Sequence, residues 1–477
     1  MIVPSISFLG FAAVAALIFN LGSSVLWRQV VLLGVNIAFL ASFSLNPASF
    51  VPFMGFLALG FVAQRRMRQT SSGRLFVALL VLIVLAFFWL KRYVLALNNV
   101  FPPVSYVLVG LSYVFFRVLH LVVDSHQGAI EGRIGLLSYL NYTLNFTSLT
   151  SGPIQRYQDY HHLEKERLPL DPSVIGIALE RIIIGYFKIA IVSMILSVVQ
   201  QQSIHTISPA QVLPSRIWQG ILIAATYPIY LYFNFSGYMD VVIGVARFFR
   251  IELPENFDRP FSSENFIIFW SRWHITLSNW LKTYVYNPLM LAGLARITEP
   301  KLAPYIAVPA FFMTFFLVGL WHGQTTEFLF FGLLQGGGVA ANKLYQVVLQ
   351  KRLGRKQYRA LAANPFYRAI ARGLTFAWFA LTLFWFWSNW NDINTLLHTL
   401  GLVGVLLAWL AIFAVATVVL AIMGAARGAI LSVTWDSVPV VQSRYVRTAW
   451  DTALVAVTIA AIALLNSTAP DTVYKTF

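Results

Sequence analysis

The sequence predicts an all-α protein that crosses a membrane many times, and three observations support this. Of 477 residues, 58% are hydrophobic and only 11% charged; a soluble domain carries about 25% charged residues, so most of this chain must face lipid or other apolar helices. Apolar runs long enough for a span recur along the whole chain. Basic residues gather between those runs.

A span needs about 20 apolar residues. Runs of that kind lie near 5–22, 26–46, 49–63, 75–93, 102–123, 135–150, 174–200, 216–249, 302–321, 325–347, 369–389, 399–424 and 449–466. Some are short or overlong, which predicts about 10 to 13 membrane segments. The first run lacks a basic flank and a small-residue cleavage site, so it is expected to stay as a helix. Arg65, Arg66, Arg68 and Arg74 fill one connection, and Lys343, Lys351, Arg352, Arg355, Lys356, Arg359, Arg368 and Arg372 another. The positive-inside rule puts these in the cytoplasm and the nearly uncharged 200–215 and 388–399 outside. Membrane topology therefore accounts for the net charge of +16, and nucleic acid is not an expected partner. With neither a repeat nor a low-complexity linker, residues 1–477 are expected to form a single integral membrane domain. The absence of cysteine excludes disulfides, thiolate metal sites and a cysteinyl acyl-enzyme.

Residues 234–290 are too polar for simple spans and too aromatic for a free loop. Pro254 and Pro260 break helical structure. Ser262 or Ser263 then caps a new helix, with Glu264 and Asn265 in its first turn. Polar backbone at membrane depth is tolerated only where it lines a cavity or packs inside protein. A re-entrant or interfacial helix over 266–286 is therefore expected.

Two of the eight histidines are hard to explain as surface residues. His322 follows Trp321 at the end of the apolar run 311–320 and precedes Gly323. His274 lies in FWSRWH, 269–274, with Trp270 at i−4 and Ser278 at i+4 if the segment is helical. A titratable ring in hydrocarbon is a candidate for proton chemistry. The simpler reading makes His274 part of an interfacial aromatic belt and His322 a group reaching the membrane surface. Gly323 would permit a bend or the close approach of a substrate.

Other clusters read as structural. Asp240, in an apolar stretch, needs a paired arginine. His161 and His162 fit a solvated cytoplasmic loop. Gly336, Gly337 and Gly338 fit close helix packing. Metal-ligand spacing is absent, so no metal is expected.

Five segments together identify a resemblance: FWSRWHITLSNWL (269–281), LWHG (320–323), FNFSGYMD (233–240), ENFDR (255–259) and SGPIQR (151–156). Taken in their order along the chain they resemble the membrane-bound O-acyltransferases, in the bacterial branch that includes alginate O-acetylase and the teichoic-acid D-alanyl transferase. The similar core runs from about 105 to 345. The resemblance implies a ring of helices around a central tunnel, an essential His322 and a second tunnel histidine, His274. After Tyr286 the chain continues NPLMLAG, where many alginate-type relatives have a glycine-rich basic segment.

The implied reaction moves an acyl group, acetyl first and D-alanyl second, to a hydroxyl of an extracytoplasmic envelope glycan, directly or through an accessory transferase outside. The donor is a cytoplasmic thioester, acyl-CoA or an acylated carrier protein, and no tightly bound cofactor is expected. His322 would act as general base. His274 would orient the acceptor or steady the tetrahedral intermediate, with Ser278 or Asn279 as donors. Trp273, Trp321, Gly323 and Arg156 are further expected substrate contacts. The expected location is the bacterial cytoplasmic membrane. A transporter or polymer-export channel shares the composition but not the ordered motifs.

Overall fold

The computed structural model describes residues 3–91, 106–107, 109–166, 168–297, 299–435 and 438–465. They are helical, apart from connections and one two-residue antiparallel pairing of Thr434–Trp435 with Val438–Pro439. Among the described residues seven helices have the length and apolarity to cross a membrane: Pro47–Gln69, Gly73–Leu90, Pro172–Thr206, Leu213–Phe248, Ala303–His322, Pro365–Trp387 and Trp390–Ser432. Two shorter apolar helices, Ile6–Leu21 and Val25–Ala41, precede them. This is a polytopic integral membrane protein.

The chain forms two compact units, with boundaries inside helices at Tyr186/Phe187 and Ser236/Gly237. The first comprises the described residues up to Tyr186 together with Gly237–Glu255; the second comprises Phe187–Ser236 and the described residues from Asn256 onward.

The first unit is built on helix Leu111–His126, in which all residues but Val123 and His126 are buried. Arg117, 1% exposed, donates to the carbonyls of Tyr142, Thr143 and Ser148 and to Ser148 Oγ at 2.7–3.2 Å. A buried guanidinium is tolerated only when its donors are satisfied. The apolar run 135–150 is consequently not a span. Its helix ends after eight residues, Leu136–Thr143, and the carbonyls of its last two residues and of Ser148 turn to Arg117. The helix Tyr157–Lys165 starts after Arg156 and carries His161 and His162, so these histidines are not in a loop; they pair with Glu164 and Glu166, each at 3.2 Å. Asp240 has its arginine: Arg181 Nε lies 3.1 Å from Asp240, and its other nitrogens grip both oxygens of Glu255.

In the second unit, Ala303–His322 and Thr326–Ala363 form a tight hairpin. A Cβ on Gly319 would overlap the backbone of Gly332, one on Gly332 would meet the Phe316 carbonyl at 2.6 Å, and one on Gly336 the Phe312 carbonyl at 2.5 Å. The glycines of this hairpin bring backbones together. Pro365–Thr382 packs on Trp390–Ser432 through Phe376, Ala377, Ala380, Ile412 and Ala416. Beyond a tight turn of helix at Pro260–Ser262, residues 256–296 hold two helical stretches, broken at Trp273 and His274. The first, Phe266–Arg272, has seven residues and at about 1.5 Å per residue cannot span a bilayer; the second starts as Ile275–Leu281 and runs on through a π-helical turn, Lys282–Tyr286, into Asn287–Arg296.

Candidate active site

His274 lies between those two pieces, with φ 46° and ψ 53°. The left-handed region costs a non-glycine residue roughly 1–2 kcal/mol, so surrounding contacts must hold it there. The expected continuous helix over 266–286 is therefore broken, and Trp270 does not share a helical face with His274. Asn265, not a serine, caps the first piece, its Oδ1 accepting from Ile268 N at 2.9 Å. Glu264 lies outside the helix and pairs with Arg368 and Arg372.

The backbone around His274 is held by the ENFDR segment. Asp258 N donates to Arg272 O and Ile275 N to Asn256 O, each at 3.0 Å, and Phe257 pairs with Trp273 in an antiparallel bridge. Asn256, 1% exposed, places its Oδ1 at 3.0 Å from Thr276 N, 2.9 Å from Thr276 Oγ1 and 3.3 Å from His274 Nδ1. Because the Thr276 N–H can only donate, the atom facing it is the amide oxygen, and Nδ1 must carry the proton it shares. Nε2 is then the basic nitrogen of His274. His274 lies outside the seven spans, and its burial pushes the imidazole pKa down to about 3, keeping the ring neutral.

His322, 3% exposed, ends helix Ala303–His322. Its ring packs edge-on to Phe386 at 5.0 Å and Phe331 at 6.0 Å. Trp321 joins the two histidines, with its ring 4.6 Å from His322 and 6.3 Å from His274. Phe235 covers His274 at 5.1 Å. The two imidazoles thus pack against one indole, that of Trp321. The space a Cβ on Gly323 would need is filled by the Phe328 ring, so the glycine admits an aromatic side chain beside His322.

The remaining expected site residues differ in placement. Trp273 is buried, stacked on Phe269 at 5.6 Å and packed against Phe257 and Phe379. Ser278 N bonds His274 O at 3.0 Å, while its hydroxyl donates to Trp273 O at 3.3 Å. Asn279 is exposed. Among the described residues neither of these two side chains bonds an imidazole. Arg156 belongs to the other compact unit and is exposed. Asn256 lies inside the ENFDR motif but had no expected role; the signal available was an amide two residues after Pro254, between Glu255 and Phe257.

Comparison with known proteins gives the class as O-acyltransferase. The profile of the membrane-bound O-acyltransferase family (MBOAT) matches residues 54–386. The chain belongs to that family. It is 25% identical over 325 residues to the teichoic acid D-alanyltransferase of Bacillus subtilis, covering 67% of this chain and 79% of that one. It is 30% identical over 236 residues to a probable alginate O-acetylase of Pseudomonas fluorescens, covering 49% of this chain and 44% of the relative. A peptidoglycan O-acetyltransferase of Helicobacter pylori is 39% identical over 133 residues, covering 28% and 24%. The chain thus spans less than half the length of these two O-acetylating relatives. Family membership decides for an enzyme over a transporter.

Proposed function

We propose that the protein transfers a short acyl group, acetyl in the first instance, from a cytoplasmic thioester to a hydroxyl of an extracytoplasmic envelope polysaccharide. The bacterial cytoplasmic membrane is the proposed location. The observation carrying the proposal is the pair of buried imidazoles joined by Trp321, in a family of O-acyltransferases whose relatives here modify envelope polymers. Neutral His322 takes the acceptor hydroxyl proton as oxygen attacks the thioester carbonyl. The C–O bond forms, the C–S bond breaks, and the imidazolium returns the proton to the departing thiolate. His274, with Nδ1–H directed to Asn256, offers Nε2 as an acceptor; this supports orienting the substrate O–H rather than steadying an oxyanion, which needs a donor. The donor, a coenzyme A or carrier-protein thioester, would approach the basic cytoplasmic loops by charge complementarity.

D-Alanyl transfer to a teichoic-acid-like polymer is the second reading, favoured by one observation. The D-alanyltransferase matches over 79% of its length, whereas the alginate relative matches over 44%. The test compares wild type with His322→Ala in a host lacking the gene, scoring ester-linked groups on envelope polymers by mass spectrometry. Loss of one ester at normal protein level supports the proposal and names the group; an unchanged ester pattern overturns it.

A further inference from the structure

Phe331 and Phe386, the two rings set edge-on to His322, lie 5.3 Å from each other. Polar contacts join their two chain segments on both sides of this ring pair. Four residues before Phe331, Glu327 Oε1 accepts from the backbone N–H of Trp390 at 3.1 Å, and Trp390 lies four residues after Phe386. The Trp390 indole N–H donates to Thr326 Oγ1 at 2.8 Å, and its ring lies 5.5 Å from Phe330. Four residues after Phe331, Gln335 Nε2 donates to Thr382 Oγ1 at 2.8 Å, and Thr382 lies four residues before Phe386.

The two sides of this ladder differ in how firmly the backbone holds them. Glu327, Phe331 and Gln335 stand one turn apart on the continuous first part of helix Thr326–Ala363, where residues at i and i+4 share a face. Thr382, Phe386 and Trp390 belong to three separate pieces. Thr382 ends one helix, Phe386 sits in a helix of four residues, Phe384–Trp387, and Trp390 starts the next. A helix that short does not hold itself together, so its end contacts must fix where Phe386 points. The inner contact is well placed to do so, because Gln335 and Thr382 are each 0% exposed. Aromatic pairs accept a range of offsets. A buried amide that would lose its hydroxyl on sliding accepts one register.

We infer that Glu327 and Gln335 are positioning residues: their two clasps fix Phe386 and Phe331 about the His322 imidazole and hold that ring in one orientation. The inference rests on the proposed role of His322 as the base. A base is effective only when its nitrogen is aligned with the proton it takes, so the loss on loosening a clasp falls on turnover.

The test uses the full chain in detergent with diethylpyrocarbonate, which carbethoxylates neutral imidazoles it can reach; the extent at each histidine is read by peptide mass spectrometry. Wild type is expected to react slowly at His322. Glu327→Ala and Gln335→Leu should each speed that reaction about fivefold, the shift in open population that one lost hydrogen bond allows. His274, held by Asn256, should keep its wild-type rate. In the host lacking the gene, each variant should leave about tenfold less envelope ester than wild type, at equal protein level and melting temperature. Glu327→Gln, which keeps a side-chain oxygen for the Trp390 N–H, should restore most of it. Wild-type reactivity of His322 in both loosened variants overturns the inference. So does a lowered melting temperature with unchanged ester, which would make the clasps ordinary packing. The two readings separate: ester retained in His322→Ala sinks the base assignment, whereas ester lost there but kept in both loosened variants sinks the positioning role.

Discussion

Arg117 and His322 are both buried polar groups on helices, yet their surroundings are opposite in kind. Arg117 is encircled by oxygen, with three backbone carbonyls and one hydroxyl taking its donors. The contacts of His322 are dominated by aromatic rings, those of Trp321, Phe331 and Phe386. A polar group saturated by backbone acceptors holds a fold. Under the proposed function, the imidazole packed among rings is the one that meets the reactant. Burial alone does not separate the two roles; the chemistry of the neighbours does.

The largest expected effect comes from exchanging these roles. Arg117→Leu strands four buried acceptors, each worth about 1–3 kcal/mol, against a total stability of roughly 5–15 kcal/mol. No monodisperse protein should be recovered by size-exclusion chromatography. His322→Ala should be recovered normally and lose acyl transfer by about 10²–10⁴-fold. Normal recovery of Arg117→Leu would break the contrast.

Asn256→Ala sharpens it. Without the amide oxygen the Nδ1 proton of His274 has lost its acceptor, and kcat should fall by roughly tenfold through misorientation. Asn256→Asp restores an acceptor and should recover part of the loss, seen in kcat more than in KM. Equal losses in the two variants would show that the residue serves packing alone.

Gly319→Ala should cost about 1–3 kcal/mol by overpacking, read as a lower melting temperature, because its Cβ overlaps Gly332. Gly323→Ala should add a loss of activity, since Phe328 must then move beside His322. The last effect concerns pH. His274 binds its proton at about 3 in the folded chain and near 6.5 when unfolded. The unfolded chain therefore takes up more protons between those values. This contribution to stability is complete above about pH 6.5 and is lost as pH falls toward 3. Thermal melting of wild type against His274→Gln across pH 4–7 checks it, the glutamine variant showing the shallower decline.

Much of the fold was legible because apolar runs obey a length rule set by the bilayer, and helices appear at most of them. The run 135–150 misled because its hydropathy hides Arg117, a partner 18 residues upstream of its first residue that diverts the backbone. The positions of His274 and His322 near one another could be expected from the ordered motifs. The break at His274 could not, since a left-handed histidine is created by pairing with 256–258, a contact no periodicity reports. Ser278 and Asn279 seemed placed to help because a continuous helix was assumed. With the helix interrupted, one hydroxyl serves the turn and the amide faces outward.

The glycine contacts of the hairpin have a mechanical consequence. Where Gly319 meets Gly332 and Gly336 meets the Phe312 carbonyl, two backbones behave as one beam, with no side-chain layer to compress. His322 stands at the tip of that beam, and Phe331 on the facing rail. Any stroke that shifts the imidazole relative to its ring neighbours must therefore flex the short connection after Gly323 or move Phe386; the beam itself transmits displacement without bending.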